Sequence, residues 1–419
     1  MENNPNNPSF EHLFRHQAGQ IVASLTRILG WQHVALAEDV VQDTLLKAMR
    51  HWPVRGVPDN PKAWLLVTAR NRAIDLLRRE SNLADKVDEI GRWVDTSDRD
   101  KGEVTFAREL DDDQLRMIFA CCEPSLSRQA QVALTLKILC GLSVDEIARA
   151  FFAKPATIAQ RIVRAQRTLR EADKAIAVPE PSELPSRLRA VYDVIYLLFN
   201  EGYSAYEGEN LVRYELIEEA IRLGELLAAN PVGDLPETHA LLALMYLQAS
   251  RLPSRVDADS NLVLLRDQDR TRWDRHLISR GMAHLEQSAH GDEMTAYHLE
   301  AGIAAEHAMA RSYDRTNWGR IRQYYDELVR RNPSAVLLLN RAVAVAECDG
   351  VEAGLAEIQQ LAELPVMKRY YLYHATAGEF HTRAGHTDLA RDHFRRAAEL
   401  ATCEPERRFL QGRVAALES

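Results

Sequence analysis

The sequence predicts an all-α fold. Apolar residues recur at three- and four-residue spacing in almost every periodic segment, runs of strict alternation are nearly absent, and prolines gather at a few breaks between segments. With 419 residues, 46% hydrophobic and 27% charged, the chain has length for two or three domains, each with its own core. That composition excludes a collagenous or mainly disordered polymer.

In chain order, helices are read over Phe10–Leu29 and Ala35–Arg50. From Trp52 to Pro61, three prolines and Gly56 predict a loop. Helix resumes over Lys62–Glu80, with Ala63, Leu66, Val67, Ala73, Ile74 and Leu77 on an inward stripe and Thr68, Asn71, Arg72, Asp75 and Arg79 on a polar, basic face. Residues 83–113 are highly charged without a sustained stripe and read as a flexible acidic linker. Gln114–Cys140 is helical with a break at Glu123-Pro124-Ser125, and three prolines between Val178 and Pro185 mark a hinge. The predicted divisions are 8–82, the linker 83–113, then 114–177 and 186–419.

Near the C-terminus the helices pair: Ser334–Glu347 with Val351–Leu361, then Arg369–Ala384 with Thr387–Ala401. The pairs turn at Gly350 and Gly385, and Ala342, Ala344 and Ala346, then Ala390, Ala397 and Ala398, permit close approach. The spacing of the two turns is near the ~34 residues of a tetratricopeptide unit, which leaves true repeats and generic helical hairpins both open.

Net charge is -9, which taken alone argues against a nucleic-acid binder, but the charges are sorted. Lys47–Arg79 holds eight basic residues against two acidic, Glu80–Asp113 twelve acidic against five basic, and Lys154–Lys174 six basic against two. Two basic islands around an acidic strap suit two separate contacts with a polyanion, or two solvated helix faces.

Gly141 to Arg164 has the organisation of a helix-turn-helix. Ser143 and Glu146 form a capping box, Ile147, Ala148 and Phe151 an inward stripe, and Pro155 suits the first position of the next helix. There Ile158, Ile162, Ala165 and Leu169 face inward, so Thr157, Gln160, Arg161, Arg164 and Arg167 face out, with Lys154 beside them. Such a helix can enter a major groove, with Thr157, Gln160 and Arg161 near base edges and the later arginines near phosphates.

The five cysteines have no CxxC spacing and are read as reduced and buried. HExxH, Walker-type and GxSxG patterns are missing from the sequence, so no catalytic residue, metal or cofactor is expected and the protein is not read as an enzyme. The first residues lack a signal-peptide pattern and no long apolar run is present, which places the expected site of action in the cytoplasm, without membrane contact.

The run AEDVVQDTLLKAMRHW followed by NPKAWLLVTARNRAIDLLRRE resembles region 2 of extracytoplasmic-function sigma factors, and GLSVDEIARAF with TIAQRIVRAQRTLRE resembles their region 4. Val194–Tyr203 and Leu264–Arg270 resemble segments of the subgroup with a C-terminal tetratricopeptide-like domain. The resemblance implies an alternative sigma factor that binds core RNA polymerase and promoter DNA. It implies polymerase docking through Asp39, Gln42, Asp43 and Lys47. It further implies that Trp52, Arg55, Asn60, Arg70, Asn71, Arg72 and Asp75 serve the melted −10 element, and Lys154, Thr157, Gln160, Arg161, Arg164 and Arg167 the −35 element. Of the two tryptophans in region 2, Trp64 is the one expected in the core. The C-terminal domain is expected to regulate or support activity, through another protein or the chain itself. The rival readings are a helix-turn-helix regulator with a helical sensor domain and a helical scaffold.

Overall fold

A computed structural model describes residues 8–78, 87, 90, 113–150, 153–172, 176–203, 212–257 and 261–418. The fold is all-α: among the described residues the only β pairing is an isolated bridge, Val256 with Leu262. The acidic linker, except Asp113 and two isolated helical positions, lies outside the described residues, as do Arg79, Phe151 and Phe152. The chain divides into two compact units, Met1–Leu198 and Phe199–Ser419.

The first unit opens with α1 (Pro8–Leu29), α2 (Val34–Arg55) and α3 (Pro61–Leu77), packed mutually. On α2, Val34, Ala37, Val41, Thr44, Ala48 and Trp52 are buried at helical spacing. This helix corrects the sequence reading, because it runs through Pro53 instead of ending at Arg50. A proline in the last turn forfeits one hydrogen bond at a solvent-facing end, and Gly56, at φ 85°, closes the helix with its N–H on the Trp52 carbonyl at 3.0 Å. On α3 the inward stripe is Leu65, Leu66, Ala69, Ala73 and Leu77, whereas Ala63 and Val67, expected inside, face solvent.

Residues 113–121 are helical and lead to α4 (Arg128–Ile138), capped by Ser127, then α5 (Val144–Ala150) and α6 (Pro155–Glu171). The two helical groups of this unit touch directly. Gly19 of α1 lies against the backbone carbonyl of Leu139, where any Cβ would collide. Arg27 meets the buried carboxylate of Asp113 at 2.7 Å, and the turn Trp31–His33 packs on α6. The unit boundary falls inside α7 (Leu184–Tyr203), so residues 186–198 pack with the first unit. They are held by Arg187, whose Nη2 meets Glu123 at 2.6 Å with both side chains buried, and by Asp193, which accepts from Arg128 Nε at 2.6 Å.

The second unit is a succession of helices, each packed on its neighbour: α8 (Tyr214–Ala228), α9 (Pro236–Ala249), α10 (Arg275–Ser288), α11 (Ala296–Met309) and α12 (Trp318–Arg331). Then come α13 (Ala335–Asp349), α14 (Val351–Leu361), α15 (Tyr371–Arg383), α16 (Thr387–Leu400) and α17 (Glu404–Ala416). Helix α9 is apolar all round because α8, α10 and α11 all cover it. The hairpins α13–α14 and α15–α16 turn at Gly350 and Gly385, both at positive φ, and Ala342, Ala346, Ala390 and Ala397 are buried where the helices meet. Four cysteines are buried; Cys348 is exposed, against expectation, because it sits near the solvent end of α13.

Candidate nucleic-acid and polymerase interface

The outer face of α2 carries Asp39, Gln42 and Lys47 in solvent. Leu46 and Met49 lie on the same face, 50% and 46% exposed. Asp43 is half-buried, and its carboxylate takes Arg72 of α3, from Nε at 2.7 Å and Nη2 at 2.6 Å. Two residues assigned on sequence to different partners thus hold each other.

Trp52, expected at a loop beside DNA, is instead a core residue only 5% exposed. It packs edge-on to Trp64 with centroids 5.6 Å apart and against Phe14 at 5.2 Å. Trp64 is the more accessible of the two, the reverse of the expectation. The continuation of α2 through Pro53 explains this, since it turns position 52 inward one helical repeat after Ala48. Asn60 is the N-cap of α3, its Oδ1 accepting the Ala63 N–H at 3.0 Å, with Pro61 behind it. Arg55, Asn71 and Asp75 are exposed, and Arg70 and Arg72 half-buried.

In the helix-turn-helix the capping box forms: Ser143 N–H donates to Glu146 Oε2 at 2.7 Å, and Glu146 N–H to Ser143 Oγ at 3.2 Å. On α6 the buried set is Ile158, Ile162, Ala165 and Leu169. Lys154, Thr157, Gln160, Arg164 and Arg167 are exposed, and Arg161 is half-buried. Thr157, Gln160, Arg161 and Arg164 line one cleft of ≈ 400 Å³ with Ser125, Ser127 and Gln129, next to the start of α4. Lys154 and Arg167 lie outside it; Arg167 Nε is taken by Glu171 at 2.7 Å, which holds the guanidinium above its usual pKa.

The Glu123–Arg187 and Arg128–Asp193 pairs were missed by sequence reasoning, which treated Glu123 only as part of a proline-marked break. Their separation of more than 60 residues left no local signal. Burial pushes the Cys121 thiol well up and the Cys122 thiol to about 12, so neither is a nucleophile. Among the described residues, no group of three or more His, Cys, Asp or Glu could hold a metal ion, and no helix is long and apolar enough to cross a membrane.

The sigma-70 region 2 family model matches residues 13–82, and a family of unknown function, DUF6596, matches 187–289. The chain is 34% identical over 139 residues to the ECF RNA polymerase sigma factor SigL of Mycobacterium tuberculosis, covering 32% of this chain and 73% of the relative. It belongs to the extracytoplasmic-function sigma-70 family. A second such relative, the probable ECF RNA polymerase sigma factor SigI of the same species, is 26% identical over 151 residues, 36% of this chain and 51% of the relative. Over 387 residues the chain is 39% identical to an uncharacterized protein of Rhizobium meliloti (strain 1021), covering 91% of this sigma factor and 90% of that protein. The likeness therefore includes the additional C-terminal helices. No solved structure matches. The sigma-70 family is one of non-enzymatic transcription initiation factors.

Proposed function

We propose that this sigma factor binds core RNA polymerase through the outer face of α2 and directs promoter-specific initiation from the cytoplasm. The observation that carries this reading is the exposure of Leu46 and Met49 between Asp39, Gln42 and Lys47, on a helix whose opposite face is buried. Apolar side chains left in solvent among charged ones suit a protein partner better than a bare surface. Residues Arg55, Arg70, Asn71 and Asp75, with Arg72 oriented by Asp43, serve the −10 element. Asn60 sets the start of α3 for them.

Helix α6 reads the −35 element, with Thr157, Gln160, Arg161 and Arg164 at the duplex and Lys154 and Arg167 contributing charge. The successive hairpins of the second unit support a tetratricopeptide-like domain that regulates or assists, by contact with another protein or with the chain itself.

The test is runoff transcription with purified core polymerase. Promoter-dependent transcripts from core plus this chain uphold the reading. DNA binding without core, and no transcript, replaces it with a helix-turn-helix regulator.

A further inference from the structure

The second unit contains a cavity of ≈ 340 Å³, within the size range of small-molecule sites. Its wall is mostly apolar: Leu264, Leu265, Ile321, Val343, Phe380 and Phe394 contribute, with Tyr325 and Trp318. At one corner Arg266 lies over the Tyr313 ring at 5.8 Å, Tyr313 packs on Trp318 at 5.1 Å, and His307 meets Trp318 edge-on at 5.2 Å. His307 is 8% exposed and lines the cavity, yet its Nδ1 has no hydrogen-bond partner among the described residues. A buried polar atom left without a partner beside a cavity is costly.

The charges around that corner are unbalanced. The wall carboxylates already hold arginines: Glu379 takes Arg266 and Arg413, each at 2.7 Å, and Glu347 takes Arg383 at 2.6 Å. Arg270, 8% exposed, donates only to the carbonyls of His307 and Ala310 and the hydroxyl of Thr316. Arg251 reaches the amide oxygens of Gln248 and Gln268, at 3.5 Å, and has the Tyr203 hydroxyl nearby, while both guanidiniums lie over Trp273. Among the described residues no carboxylate pairs with either. Burial, with Arg251 and Arg270 nearby, pushes His307 down to about 3, so the imidazole is neutral and adds no charge of its own. Two cations with no carboxylate partner among the described residues, Arg270 of them buried, make the corner attractive to an anion. Arg266 can turn to such an anion and leave Glu379 paired with Arg413.

We propose that this cavity binds a small anion with an aromatic or acyl body, its charged end at His307 and Arg266 and its body against Ile321, Tyr325 and Phe380. The segment Leu264–Arg270, singled out in the sequence, then has a physical task. Leu264, Leu265 and Arg266 form wall, and Arg270 supplies unbalanced charge behind it.

The inference concerns the second unit alone and does not depend on the polymerase reading. It is tested on the full chain by calorimetric titration with phenyl phosphate, phenylacetate and octanoate, against benzyl alcohol and benzylamine. At least one of the three anions is expected to bind about tenfold or more tighter than the neutral and cationic probes. The first two probes compare phosphate with carboxylate, and the last two anions compare an aromatic body with an acyl one.

Leu372→Trp, at a partly exposed position on the wall, and Ala375→Trp are each expected to abolish binding, and Arg266→Met to weaken it about tenfold. Far-ultraviolet dichroism checks the helical fold of each variant, and Leu372→Trp decides if Ala375→Trp unfolds. Anions binding no better than benzyl alcohol, no binding at millimolar concentration, or binding that survives in the folded filling variants would overturn the proposal.

Discussion

Arg72 and Asp43 join α3 to α2 through a two-nitrogen ion pair at 2.6 and 2.7 Å. Both side chains are only half-buried, so the pair contributes no more than about 1 kcal/mol to stability. Its effect is orientation: it aims Arg72 along the polar face of α3 and fixes the carboxylate on α2.

Asp43→Arg is therefore expected to leave the melting temperature nearly unchanged and to impair association with core polymerase. The exchange Asp43→Arg with Arg72→Asp restores the pair but not association, because the charge offered by α2 stays reversed. Co-purification with core, beside thermal melts, checks both statements. Normal association of the single variant would remove Asp43 from the docking face.

On α6, Arg161→Ala or Arg164→Ala is expected to weaken recognition of the upstream element by about 1–3 kcal/mol where the residue meets a base. Arg167→Ala should weaken binding evenly across sequences, since its guanidinium is shared with Glu171 and lies outside the cleft. Transcription from a panel of upstream-element variants reads the difference. An unchanged preference in both Arg161 and Arg164 variants excludes them as base readers.

Trp52→Ala is expected to cost about 3–5 kcal/mol, as a buried aromatic should, and Trp64→Ala distinctly less. Urea melts of the two variants rank them. Equal losses would contradict the core assignment of Trp52.

The end of the first unit gives a further expectation. A chain cut at Pro179 loses Arg187, with its buried ion pair to Glu123 and its hydrogen bond to the Phe119 carbonyl, and should melt lower than the first unit with α7 in place. A chain cut after Tyr203 keeps both Arg187 and Asp193 and should melt higher. Calorimetry of the two truncations decides, and the longer one is the proper reference for any activity attributed to the second unit.

Acid should loosen the second unit. Burial, followed by His239 and Arg280, holds His284 down to about 4, against the pull of Glu225; burial, followed by His374 and His381, holds His393 down to about 4, against Asp392. The unfolded chain takes up these protons near pH 6.5 and the folded one only near 4. Stability is thus full above about 6.5 and is lost as pH falls from there toward 4. Thermal melts between pH 7 and 4.5 should show a falling transition for the second unit, made shallower by His393→Gln while the share of His284 remains. A flat profile in the parent chain would contradict the burial of these imidazoles.

Local rules were readable where one helix decides its own fate. Ser143 with Glu146, Pro155, and the α6 stripe from Ile158 to Leu169 follow from capping and periodicity alone. Pro53 was misread because a proline in a last turn resembles a proline in a loop when only composition is seen, and this error carried Trp52 outward with it. The α3 stripe was misplaced because its buried set includes the adjacent Leu65 and Leu66, while Val67 looks apolar enough to be inside but has no neighbour to cover it. Asp43–Arg72, Glu123–Arg187 and the unbalanced arginines behind His307 depend on which distant helices meet, and no spacing in the sequence announces that.

The seat of Gly19 on the Leu139 carbonyl, with Arg27 on Asp113 beside it, ties the segment proposed for the −10 element to the one proposed for the −35 element. Those stretches of DNA lie many base pairs apart along the duplex. On the proposed reading, holding both elements at once and keeping this seat closed make opposing demands on the first unit. Gly19 is the hinge of that conflict, because any side chain there would press on the Leu139 carbonyl and loosen the seat.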